Sequence, residues 1–332
     1  MAILKKSRNL HTEDNTGFGS NSSNYSGRFF NRDTGGANVR RTGIGLLNRY
    51  SWYHTMLGMK RGKFLSLLFL VYISVNLLFA AIYYLIGVEH LAGIERGHDL
   101  KELSEVFFFS TQTFTTVGYG RISPTGFLTS AVATFEAFLG LLSFAIATGL
   151  FYGRFSRPQA FLKFSEQALV APHNEGMALM FRMAPFKNNL LSDAEVKLTL
   201  AMEVEEDGKK TDKFFTLATQ ISKINSLALS WTLVHPIDEQ SPLLGMTGED
   251  IRNTDLELMI FVKAFDEVYS NTVVARWSYI NTEIIWGGRF KLMYHPSEDK
   301  SHTILDLSML NDWTPAELPT SVKSGNTNKL PE

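Results

Sequence analysis

Ser110–Gly120, STQTFTTVGYG, decides the fold. Its opening residues complete the apolar stretch Leu103–Phe114, which is long enough for a short helix and too short to cross a membrane. Its end places glycine at alternate positions, Gly118 and Gly120, around Tyr119. Glycine tolerates backbone conformations with φ > 0 that β-branched residues resist. Successive carbonyl oxygens can therefore face one axis while Val117 and Tyr119 turn away and pack behind. An oxygen-lined file of this kind can replace the water shell of a potassium ion. The expected ion contacts are Thr116, Val117, Gly118 and Tyr119, with Gly120 completing the filter and the Thr116 hydroxyl adding an oxygen at its inner end. The preceding helix would direct its negative end toward a central cavity. K+ is the expected permeant ion, and no cofactor is expected.

The flanks fit a membrane setting. Phe64 to Val88 holds no charged residue between Lys63 and Glu89. As a helix it reaches about 37 Å, enough for a hydrocarbon core of about 30 Å. A second run, Gly126–Gly153, carries one charge, Glu136. An intramembrane carboxylate is costly without a partner. Glu136 is expected either to support the back of the filter or to lie near the outer interface in contact with water. Arg40, Arg41, Arg49, Lys60, Arg61 and Lys63 precede the first run, and Arg154, Arg157 and Lys163 follow the second. Only Arg96, Lys101 and Arg121 lie between the spans. This asymmetry places both termini in the cytoplasm. Gly140 and Gly149 are expected bending points or close-packing positions. Trp52, Tyr53, Met56 and Leu57 share one side at helical spacing, as in a helix lying flat at the inner interface.

Beyond Pro158 the pattern changes to alternation. Val196, Leu198, Leu200, Met202 and Val204 alternate with Glu195, Lys197, Thr199, Ala201 and Glu203, and Asp207–Gly208 marks a turn. Further strands are expected at 178–184, 214–218, 227–235, 256–264, 272–279, 284–294 and 303–307. Eight short strands indicate a β-sandwich. The expected division is a disordered tail over 1–44, an interfacial helix over 45–62, a pore domain over 63–157, the sandwich over 158–312 and a disordered tail over 313–332. With one filter per chain, closed four-fold symmetry is the natural completion.

A net charge of -1 argues against nucleic-acid binding, and the absence of cysteine removes thiol catalysis and zinc-thiolate sites. The eight histidines form no ligand cluster, and no nucleophile elbow or P-loop is present, so an enzyme is not expected. A hairpin-tethered sensor sandwich is the alternative, and it leaves TVGYG without a purpose.

TVGYG between two spans, GRFSRP at Gly153–Pro158, and the downstream SWTLVHPIDEQSPL and EIIWGG together resemble the bacterial inward-rectifier potassium channels over roughly residues 45–312. The resemblance implies a homotetramer in a bacterial inner membrane, an immunoglobulin-like cytoplasmic assembly, and control by phosphoinositides or other anionic lipids. By position it implies pore-lining and gate residues Thr115, Phe144, Thr148 and Tyr152. It implies a lipid site of Lys60, Arg61, Lys63, Arg154 and Arg157. It also implies a second constriction at Val268, Tyr269, Ser270, Asn271 and Thr272. Phe144 stands where strong rectifiers carry an acid, which predicts weak rectification. Gln112 stands where many relatives carry an acid paired with a basic residue beyond the filter. Any such pair must be rebuilt here, with Glu136 and Arg121 as the suggested partners.

Overall fold

The computed structural model describes Thr12, residues 28–32, 36, 38–39, 42–43 and 45, and then 51–187, 189–206 and 209–319. The chain forms two compact units, Arg41–Arg157 and Met1–Arg40 with Pro158–Glu332.

The first unit is helical. Helix α1, Trp52–Gly58, starts at Ser51, whose hydroxyl accepts from the His54 amide at 3.4 Å. Of the interfacial helix expected over 45–62, residues 46–50 lie outside the described residues. Helices α2, Arg61–Ile86, and α4, Phe127–Phe155, have the length and composition to cross a membrane. Gly87 at φ 117° ends α2, and Gly126 at φ 88° opens α4. Helix α3 runs Asp99–Phe114 between them. It begins a turn earlier than its apolar run, because His98 caps it and Asp99 and Glu102 suit the positive end of the helix dipole. A two-residue ladder joins β1, Leu91–Ala92, to β2, Ser123–Pro124. Phe79, Ala80, Tyr83, Val106, Phe109 and Ala133 form the core where the three long helices meet.

The second unit is a β-sandwich. Its strands are β3 (Leu162–Phe164), β4 (Ala168–His173), β5 (Gly176–Pro185), β6 (Leu191–Glu206), β7 (Lys209–Leu217), β8 (Lys223–Ser226), β9 (Trp231–Pro236), β10 (Leu256–Asp266), β11 (Asn271–Ile280), β12 (Ile284–Trp286), β13 (Gly288–Phe290), β14 (Tyr294–Pro296), β15 (Thr303–Leu305) and β16 (Trp313–Pro315). One sheet is ordered β11-β10-β6-β7, with β8 also on β6; the other is β12-β4-β5-β3, with β9 also on β5. A short helix, α5, Gly248–Asn253, opens with a Thr247–Asp250 capping box. The alternating residues Val196 to Val204 are all buried in the common core. The Asp207–Gly208 turn lies outside the described residues, between Glu206 and Lys209, which pair.

Three expectations are corrected. Residues 28–32, assigned to a structureless tail, pack on the outer face of the first sheet: Phe29 is buried against Ala201, Phe214 and Met259. Arg28 and Arg32 both pair with Glu283, and Arg32 also lies over Trp277. Residues 313–319 are likewise ordered, with β16 on β13 and Trp313 Nε1 donating to Gln167 Oε1 at 2.9 Å. The strand expected over 284–294 is broken into β12 and β13 by Gly287 at φ 84°, and residues 291–293 separate β13 from β14.

Candidate functional site

The site begins at the end of α3. Thr116, Gly118 and Gly120 have φ of 58°, 52° and 82°, while Val117 and Tyr119 between them are not in the left-handed region. Alternate residues thus change hand, as carbonyls sharing one direction require. Thr116 departs from the expectation that only glycine would take this role: a β-branched residue stands in the left-handed region, which costs about 1–3 kcal/mol. Amide hydrogens are tied back to the helix. Thr116 donates to the Thr113 carbonyl at 3.0 Å, and Val117 and Gly118 both donate to the Gln112 carbonyl at 2.9 and 3.3 Å. Gln112 therefore holds this segment through its backbone. The Thr115 hydroxyl is returned to Thr111 O at 2.7 Å.

Behind this segment lies α4. Thr129, Ala133, Glu136 and Gly140 form its buried stripe. A Cβ on Gly140 would stand 1.9 Å from Phe114 O, so glycine here serves close packing against the end of α3. The same stripe continues through Phe144, Thr148 and Tyr152, beyond the end of α3, and all three are exposed in the single chain. Nothing lies within 4 Å of the Cβ position at Gly149.

Glu136 is fully buried, so it does not reach water. Its Oε1 is 2.5 Å from Ser110 Oγ, and its Oε2 accepts from Tyr83 Oη at 2.7 Å. The suggested Glu136–Arg121 pair is not formed. Arg121 instead binds Glu105, with Glu95 at 3.9 Å. Glu95 in turn pairs with Lys101 at 2.8 Å, and that hydrogen bond and charge hold its carboxyl below the usual range. Tyr83 and Ser110 escaped the sequence reading. One signal was available, since Asn76 and Tyr83 are polar and seven residues apart in a charge-free span, hence on one helix face.

The five basic residues expected to bind lipid separate into two groups. Lys60, Arg61, Lys63 and Arg157 are exposed. The Arg154 guanidinium is instead committed to the carbonyls of Met56 and Met59 at the end of α1, and it lies 5.1 Å from the Phe64 ring centroid. In the second unit the Val268–Thr272 tip joins β10 to β11, with Val268 and Tyr269 exposed and Ser270 at φ 48°. Buried Asp266 holds the tip, its Oδ1 accepting from the amides of Val268 and Tyr269 at 3.0 and 3.1 Å.

Two spans with a half-length helix between them, followed in the chain by a β-sandwich, define the architecture of a two-span channel with an appended β domain. Residues 71–157 match the "Ion channel" family model, and 162–329 match the "Inward rectifier potassium channel C-terminal domain". The chain is 34% identical over 268 residues to the inward rectifier potassium channel Kirbac3.1 of Paramagnetospirillum magnetotacticum, covering 79% of this chain and 88% of that one. It is 29% identical to the human ATP-sensitive inward rectifier potassium channel 15, covering 77% and 74%, and 28% identical to the human inward rectifier potassium channel 18, covering 75% and 61%. The chain belongs to the inward-rectifier potassium channel family, whose members are channels rather than enzymes, and K+ is its permeant ion.

Proposed function

We propose that four copies of the chain form a potassium-selective pore whose filter is Thr116–Gly120, with K+ held by the Thr116, Val117, Gly118 and Tyr119 carbonyls. The observation that carries this reading is the alternation of hand at Thr116, Gly118 and Gly120 with the amides of Val117 and Gly118 bound to Gln112 O. Those bonds satisfy donors on the helix side and leave carbonyls for the ion. Below the filter, Thr115 at the C-terminal end of α3 and Phe144, Thr148 and Tyr152 of α4 line a cavity, the α4 stripe outrunning α3; Tyr152 sits at the inner gate. An aromatic at 144 in place of a carboxylate makes rectification weak. The sandwich is cytoplasmic, as are both termini, in a bacterial inner membrane. Its Val268–Thr272 tip forms a second constriction. Anionic lipids, phosphoinositides among them, modulate gating through Lys60, Arg61, Lys63 and Arg157, each contributing about 1 kcal/mol near an anionic surface.

The test is K+ flux from vesicles holding the purified, verified tetramer, with and without anionic lipid. Selective K+ flux that Gly118→Asp abolishes is the expected result. Absence of flux in every lipid mixture would overturn the pore reading.

A further inference from the structure

Asn76, Tyr83, Ser110 and Glu136 are fully buried together, and they come from all three long helices of the membrane unit. Ser110 Oγ stands 2.5 Å from Glu136 Oε1, 3.1 Å from Asn76 Oδ1 and 3.2 Å from Asn76 O. The Asn76 amide is oriented by its other end, where Nδ2 donates to Tyr72 O at 2.7 Å. Oδ1 therefore faces the serine as an acceptor. Three acceptor oxygens thus converge on one hydroxyl, which has a single hydrogen to give.

An ionised Glu136 would claim that hydrogen and leave Asn76 Oδ1 facing a serine lone pair. It would also be a buried charge to which no cation is bonded among the described residues. One additional proton resolves both conflicts. We propose that Glu136 carries a proton on Oε1 and is the centre of a neutral chain of donors, in which Tyr83 O–H gives to Glu136 Oε2, Glu136 O–H to Ser110 Oγ, Ser110 O–H to Asn76 Oδ1, and Asn76 N–H to Tyr72 O. Each of the four hydrogens named then has its own acceptor. The chain fastens α2 and α4 to α3 two residues before Gln112, whose carbonyl holds the Val117 and Gly118 amides. Tyr83, Asn76, Ser110 and Glu136 are accordingly positioning residues for the filter. This role rests on the pore reading above; the protonation does not.

Infrared spectra of the full-length tetramer in lipid at neutral pH test the proton. A protonated-carboxyl C=O band is expected, lost in Glu136→Gln and moved to higher frequency in Tyr83→Phe, which removes the bond to the carbonyl oxygen. Tyr83→Phe keeps the test decisive should Glu136→Gln fail to fold. No band at all, or a band indifferent to both changes, overturns the proposal. In K+/Na+ flux, Glu136→Leu is expected to lower the selectivity ratio about tenfold, and Glu136→Gln, which can donate to Ser110 and accept from Tyr83, to restore it. A glutamine variant as impaired as leucine would mean that the charge is needed, and the proposal would fall. A wild type that passes K+ and Na+ equally would instead defeat the filter reading, while the band continued to report the proton.

Discussion

His235 lies in the SWTLVHPIDEQSPL stretch and is held on both sides of its ring. Nδ1 donates to Ala218 O at 2.6 Å, and Nε2 is 2.9 Å from Ser241 Oγ, which itself accepts from the Leu243 amide at 3.2 Å. The ring thus ties β9 to the segments before and after it. Burial pushes its pKa below the ordinary histidine value of 6.5, against the opposing pull of Ala218 O and Asp238. The unfolded chain takes up this proton near pH 6.5 while the folded one resists it. The His235 contribution is therefore complete above that value and is lost as pH falls through it toward the depressed value. His235→Gln should cost about 1–3 kcal/mol at pH 7.5 by leaving buried partners unpaired. The gap to wild type should narrow by pH 5.5. Thermal unfolding of the full-length protein followed by tryptophan fluorescence reads this, since Trp231, Trp277, Trp286 and Trp313 all lie in the sandwich. A gap that stays constant with pH would show that folding leaves the histidine pKa unshifted, against the burial argument.

At the scale of elements, α1 is too short to persist by itself, since isolated helices need about 12–15 residues. Its last carbonyls are instead met by the Arg154 guanidinium from α4, the cation end of a helix C-terminal cap. Arg154→Ala should release α1. Hydrogen exchange over 52–58 should speed by about tenfold, the equivalent of about 1.4 kcal/mol of charge-assisted bonding. Arg157→Ala, which alters an exposed residue, should leave that exchange unchanged. Equal effects from the two would place the coupling in general charge rather than in the cap. The same scale explains which elements were legible. A charge-free run announces a span, and strict alternation announces β6. In β4, residues Ala168 to Ala171 are all buried, so no period of two exists to be read. β3 and β8 are only three and four residues long. Phe29 stands beside Phe30 in a Gly-, Asn- and Ser-rich segment with no hydrophobic period, and its burial depends on β6, β7 and β10 being assembled beneath it. The left-handed backbone at Gly118 and Gly120 was legible from local chemistry, whereas the partners of Glu136 and Arg121 were set by helix crossing and had no local signature.

For the whole molecule, the proposed four-fold closure would multiply every pore-facing residue. Four Phe144 rings would form an apolar cuff beneath the filter, one turn past the Gly140–Phe114 contact. Such a ring would offer a permeating polyamine or Mg2+ no counter-charge, and the proposed weak rectification would follow from it. Phe144→Glu would place about four carboxylates at one level of a confined, low-dielectric cavity, where closed walls focus their field. Voltage-dependent block by cytoplasmic Mg2+ or spermine should then appear at concentrations at least about tenfold lower than in wild type, a gain of about 1.4 kcal/mol that one ring of charge readily supplies. Single-channel recording in symmetrical K+ checks this. Unaltered block in a channel that still conducts would mean that residue 144 faces a neighbouring helix or lipid, and the stripe below Gly140 would not be the pore wall. Block that appears would fix the rotation of α4 about its axis, and with it the placement of Thr148 and Tyr152 one and two turns further toward the gate.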